Sequence, residues 1–135
     1  MAYVSQELKA KLAPKIKAVL KKYNVKGSIA VRHHSTLVLN VKSSAIDFIG
    51  NINETLRDKP GYVGRYTEAT DSIDVNVYHY NTQFTGVARD FIAEVHAAMS
   101  EGNWDKSDIQ SDYFNVGWYV DINIGRWDKP YQLEA

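Results

Sequence analysis

The chain has 135 residues, with 16 basic and 16 acidic side chains, 44% hydrophobic residues and no cysteine. That length suits one domain with its own core, and the composition excludes a wholly disordered chain. The absence of cysteine excludes disulfide frameworks, thiolate metal sites and cysteine nucleophiles together.

The first element is predicted to be a helix from Ser5 to Tyr23. Val4, Leu8, Leu12, Ile16, Val19, Leu20 and Tyr23 recur at three- and four-residue spacing, which gathers them on one side. Ser5 suits the N-cap, and Glu7 lies in the first turn, where the helix dipole favours an acid. Pro14 removes one backbone hydrogen bond and is expected to kink the helix near Lys11.

Two strands follow. Ile29, Val31 and His33 share a face of Ser28–His34; Leu37, Leu39 and Val41 share a face of Thr36–Lys42. A turn near His34–Ser35 would close an antiparallel hairpin, although the favoured Asn-Gly pair is missing. Ser44 followed by Asp47 resembles a capping box opening a helix from Ala45 to Leu56. Residues 57–72 have Pro60, Gly61, Gly64 and no periodicity, and are expected to form a long loop.

A strand Ile73–Tyr80 is predicted next, with Ile73, Val75, Val77 and His79 on one face and Asp74, Asn76, Tyr78 and Tyr80 on the other. Thr82 then caps a helix from Gln83 to Ser100, with the stripe Phe84, Val87, Ala88, Phe91, Val95, Ala98 and Met99. Gly102 stops it. A polar loop leads to the clearest strand, in which Phe114, Val116, Trp118, Val120, Ile122 and Ile124 alternate with Tyr113, Asn115, Gly117, Tyr119, Asp121 and Asn123. The order α-β-β-α-β-α-β predicts an α+β domain. Its sheet has about four strands, antiparallel or mixed, and two long helices cover one face.

No apolar run approaches the ~18–20 residues that cross a bilayer. The opening MAYVSQELKAKLAPKIK lacks the apolar stretch of a secretion signal. These absences agree with a cytoplasmic setting among others, and no membrane partner is expected.

The charge is balanced only in total. Residues 1–43 carry nine basic side chains against one acid, a net of +8, and the remainder carries −8. This marks an anion-binding surface, or else two segments that attract each other within one domain. At about 100° per residue, Lys11, Lys15 and Lys22 flank the apolar stripe of the first helix, while Lys17 and Lys21 lie opposite it. Such a spread favours diffuse attraction over a shaped phosphate pocket.

Catalytic signatures are sparse. His33, His34, His79 and His96 lack metal-ligand spacing, and strand positions for His33 and His79 suit hydrogen-bonded core histidines as well as a site. Asp105, Asp108 and Asp112 lack the order of a calcium loop and suit caps and turns. No phosphate-binding glycine loop or serine-nucleophile motif occurs, so neither a cofactor nor an enzyme is expected. Asp74 and Asp121 could be neighbours on the polar sheet face.

Aromatic residues give the stronger signal. Tyr78, Tyr80 and Tyr119 are expected beside amides on the polar strand faces, while Tyr62, Tyr66, Trp127 and Tyr131 fall in loops or the tail. Exposed aromatics beside amides and cations suit base stacking or a protein interface. Cover by a neighbouring loop would explain them equally.

Three stretches, GSIAVRHHSTLVLNVKSSAIDF, VNVYHYNTQFTGVARDFIAEV and SDYFNVGWYVDINIGRWDKPY, resemble the large polyvalent-protein-associated domains of bacteriophages and mobile elements. The resemblance implies a phage or plasmid protein acting inside a bacterium, in DNA transfer, protection or counter-defence. It carries no functional residues with it. Together these readings point to a non-enzymatic binding module for a host protein or nucleic acid, using Lys11, Lys15, Lys22, Arg32, Lys42, Tyr78, Tyr80 and Tyr119. The alternatives are a nucleotide-binding or nucleotide-sequestering protein, a small hydrolase, and an assembly protein.

Overall fold

Helix α1 (Gln6–Lys22) begins where the sequence places it: the Ser5 hydroxyl accepts the Leu8 N–H at 3.0 Å. A computed structural model describes residues 3–103 and 117–134. The helix runs unbroken through Pro14. Both Pro14 and Ala10, whose carbonyl loses its partner, are exposed, so the missing bond falls on the solvent side.

Strands β1 (Lys26–Arg32) and β2 (Thr36–Ser44) form the expected antiparallel hairpin. The turn lies one residue earlier than predicted. His33 and His34 both adopt positive φ, 54° and 57°, and the Ser35 N–H donates to the Arg32 carbonyl at 3.2 Å. His33 is therefore an exposed turn residue and does not share a strand face with Ile29 and Val31. Positive φ at both central positions is what Asn-Gly normally supplies.

Helix α2 (Phe48–Arg57) starts later than expected because Asp47, not Ser44, is its N-cap, accepting the Gly50 N–H at 2.9 Å. Ser44 is buried and its hydroxyl is engaged by Tyr131. The loop after α2 is pinned by Asn53, whose side chain bonds both the N–H and the carbonyl of Ala69 and accepts the Tyr66 hydroxyl at 2.8 Å. Burial pushes the Tyr66 phenol above its ordinary range.

The predicted strand to Tyr80 is cut short. β3 is only Ile73–Asp74, extended by the Val75 N–H donating to the Ile122 carbonyl at 2.9 Å. Asn76 then accepts the Tyr78 N–H on its side chain and the His79 N–H on its carbonyl, which turns the chain out of the sheet. Tyr78 and His79 lie in that turn, and Tyr80 opens the short helix α3 (Tyr80–Gln83). The next helix, α4 (Gly86–Met99), is positioned by Asn51 of α2, whose amide bonds both the N–H and the hydroxyl of Thr85. Thr82 is not its cap, and Val87 is 52% exposed, outside the buried stripe.

Of the predicted last strand, Tyr113–Val116 lies outside the described residues, as do Asp105, Asp108 and Asp112. β4 (Tyr119–Ile124) pairs parallel with β2, and β3 joins its other side antiparallel. β5 (Gln132–Leu133), which the sequence did not announce, pairs parallel with Ser43–Ser44. The sheet is mixed, in the order β1-β2-β4-β3, with β5 beside the end of β2.

One apolar core lies on a single face of this sheet. Leu37, Leu39, Val41, Ile122 and Ile124 meet Leu12 and Ile16 of α1, Phe48 of α2, and Phe91, Ile92, Val95 and Met99 of α4. The Phe48 ring stands 5.6 Å from Phe91, 5.7 Å from Tyr131 and 6.5 Å from Phe84. No described helix is long and apolar enough to cross a membrane.

Two backbone positions are testable. Replacing His33-His34 by Asn-Gly relieves left-handed strain, and thermal or denaturant unfolding should show a gain of about 1 kcal/mol. At Gly125, φ is 70° and a Cβ would stand 2.5 Å from the Tyr131 nitrogen and 2.7 Å from the Asp71 carbonyl. Gly125→Ala should therefore cost at least about 2 kcal/mol in the same assay.

Candidate functional site

Strand alternation sets mostly polar residues on the opposite face of the sheet, with Thr36 and Val38 buried among them. The register sets Arg32, Thr36 and Tyr119 in one cross-strand row and Ala30, Val38 and Asp121 in the next. A third row runs Ser28, Asn40, Asn123 and Asp74 across four strands. Within it, the Asn123 amide donates to the Asn40 side-chain oxygen at 3.2 Å.

A cleft of about 630 Å³ reaches from one end of this face around β4 to His96 and Ser100 on the α4 side. Arg32, Thr36, Asn76, Tyr78, Tyr119 and Asp121 contribute to its lining. Arg32 is ion-paired with Asp121 there. Tyr78 is 79% exposed. His96 also reaches this cleft; burial lowers its pKa and favours the neutral imidazole.

Asp74 and Asp121 are neighbours, as the strand faces suggested. Loss of hydration, then the charge of Asp121, raises the Asp74 pKa above the usual carboxylate value, while Arg32 opposes the rise.

The other end carries a cleft of about 530 Å³, lined by Ser28, Asn40, Lys42, Gly125, Arg126, Lys129, Pro130 and Gln132 among others. Three cations line it and no carboxylate does. Its outer wall is an excursion between β4 and β5. The chain leaves β2 where the Gly125 N–H bonds the Val41 carbonyl at 2.8 Å, and Arg126 and Lys129 then exchange two backbone hydrogen bonds. Trp127 and Asp128 form the tip, and Trp127 is 86% exposed. Asp128 pairs with Arg126 at 3.4 Å; Lys42 and Lys129 make no ion pair among the described residues.

The residues singled out from the sequence therefore separate. Arg32, Tyr78 and Tyr119 meet in one cleft, and Lys42 enters the other on the same face. Tyr80 does not join them: it is partly buried with its ring 6.0 Å from His96. Lys11, Lys15 and Lys22 belong to α1, across the sheet, where Lys15 pairs with Glu101 and Lys22 with Glu94. Arg126 and Lys129 were missed. The string Arg126-Trp127-Asp128-Lys129 between Gly125 and Pro130 was their available signal, a charged turn around an aromatic residue.

Among the described residues, no group of three or more His, Asp or Glu side chains could hold a metal ion. Comparison of the chain with protein-family models, curated proteins and solved structures finds no match.

The Asp74 carboxyl gives a pH test. Its raised pKa means that ionisation costs the folded state stability; the cost is present above the folded pKa and vanishes as pH falls through it. Asp74→Asn should melt higher than the parent at neutral pH, by no more than about 2 °C because the site is solvated. The gap should close on acidification, and a variant that melts lower at neutral pH would contradict this account.

Proposed function

We propose that the chain is a non-enzymatic binding module that holds single-stranded nucleic acid along the open sheet face. The observation that carries this reading is the cleft lined by Lys42, Arg126 and Lys129 with no acid among its lining residues. Cations fixed on a polar sheet with exposed aromatic rings supply the two attractions a single strand needs: phosphate pairing and base stacking. Tyr119 and Tyr78 extend the same surface toward the Arg32 end. The family resemblance supplies the setting, a phage or mobile-element protein handling DNA or countering defence in the bacterial cytoplasm.

Cleft size supports a second reading, capture of a free nucleotide. A volume of about 530 Å³ falls within the range of ~300–1,000 Å³ typical of small-ligand sites. A mononucleotide that binds more tightly than an oligonucleotide would favour it.

Fluorescence anisotropy with labelled single strands over a salt series tests the main reading. Three phosphate contacts predict a log–log slope of about −2. Lys42→Glu and Lys129→Glu should each weaken binding at least about tenfold at low salt and flatten the slope. Lys11→Glu, Lys15→Glu and Lys22→Glu should leave it unchanged. Binding that falls with the helix substitutions and not with the cleft substitutions would move the surface to α1.

A further inference from the structure

The turn that walls the cationic cleft has a second side. A cleft of about 250 Å³ lies there, lined by Ser72, Ile73, Asp74, Asn123, Gly125, Arg126 and Trp127. Gly125 and Arg126 belong to both clefts, so one short piece of backbone separates three cations from an aromatic ring beside a carboxylate and an amide. Trp127 makes no ring contact among the described residues, and the Asp74 carboxylate accepts no hydrogen bond and makes no ion pair among them. Asn123 has one amide N–H on Asn40 and keeps its carbonyl and second N–H.

From this arrangement we infer that the turn Arg126–Lys129 is a guanine-selective nucleotide subsite. The phosphate sits with Lys42, Arg126 and Lys129, and the base stacks on Trp127 with its edge toward Asp74 and Asn123. The inference rests on the reading of the open face as a single-strand surface, and it adds the identity of one base. Stacking on Trp127 is indifferent to sequence, because every base has a π-face. The carboxylate is not indifferent. An ionised Asp74 offers two acceptor oxygens and no donor. Guanine presents a ring N–H and an amino group side by side, a matched pair of donors. Adenine, cytosine and thymine each present a single donor group there, flanked by acceptors that a carboxylate repels.

The test uses the full chain and labelled oligothymidylate strands carrying one central guanine, adenine or cytosine. The strand with guanine should bind about tenfold more tightly than the others, as expected of one bidentate base contact. Asp74→Asn should abolish that preference and leave affinity for plain oligothymidylate unchanged. Trp127→Leu should weaken every strand about tenfold while keeping the salt slope. Circular dichroism should show both variants folded, since both side chains are exposed. Equal affinity for all bases, or a guanine preference that survives Asp74→Asn, overturns the subsite while salt-dependent binding leaves the broader function standing. No binding to any strand at low salt overturns both.

Discussion

Burial of one side of β2 governs the rest of the molecule. Leu37 and Leu39 are fully buried and Val41 is 1% exposed. Their alternation drives Thr36, Val38, Asn40 and Lys42 to the other side of the sheet. β4 obeys the same rule in the same register, with Ile122 and Ile124 inward and Asp121 and Asn123 outward. A slip of one residue in either strand would bury the amides and expose the core. The polar face is thus the obligatory reverse of the apolar one, and the helices complete the core from a single side.

The excursion at residues 125–131 is held as firmly as the sheet it leaves. Gly125 packs where no side chain fits, and the Tyr131 N–H returns to the Asp71 carbonyl at 2.9 Å. The Tyr131 hydroxyl donates to the Ile46 carbonyl at 2.7 Å, and burial pushes that phenol above its ordinary range. The Phe48 ring packs beside it. Glu134 then ties the chain down on Lys26 and Ser43, and the Lys26 ammonium, ahead of Ser43, lowers its pKa. Both ends of the turn are therefore fixed by core elements, and its tip remains exposed. Exposed segments held on a rigid scaffold in this way are where binding residues commonly lie.

Local patterns were legible where local forces decide. Ser5, the stripe of α1, the hairpin and the alternation along β4 could all be read from residue spacing. The failures share a different cause. Asn76 turns the chain out of β3 by competing for backbone N–H groups that a strand would have used, and the periodicity of Val75 and Val77 hides this. The start of α4 depends on Asn51, 34 residues earlier in the chain, and nothing near Thr82 reveals that clamp. Lys42 and Tyr119 could be placed on the candidate face, because their orientation follows from strand phase. Arg126 and Lys129 were not, since their approach to Lys42 depends on how the chain departs from and rejoins β2.

The charge asymmetry of the sequence is answered in part inside the domain, where four of the nine basic residues of the opening segment make ion pairs. Lys15 pairs with Glu101, Lys22 with Glu94, Lys26 with Glu134 and Arg32 with Asp121. Every one of these pairs joins the basic opening segment to the acidic remainder. Exposed pairs of this kind contribute little stability individually, about 0–1 kcal/mol. Their larger effect is on the field outside the protein, because each cation is seen by an approaching anion together with its acid. Attraction then falls to cations without such company. Lys42 and Lys129 are cations of this kind, as are Lys9, Lys11, Lys17 and Lys21 on α1, and the fold sets the first two around one cleft with Arg126. The net charge of a segment does not by itself locate a surface that attracts anions. The more telling quantity is how many unpaired positive charges the fold gathers around one cleft.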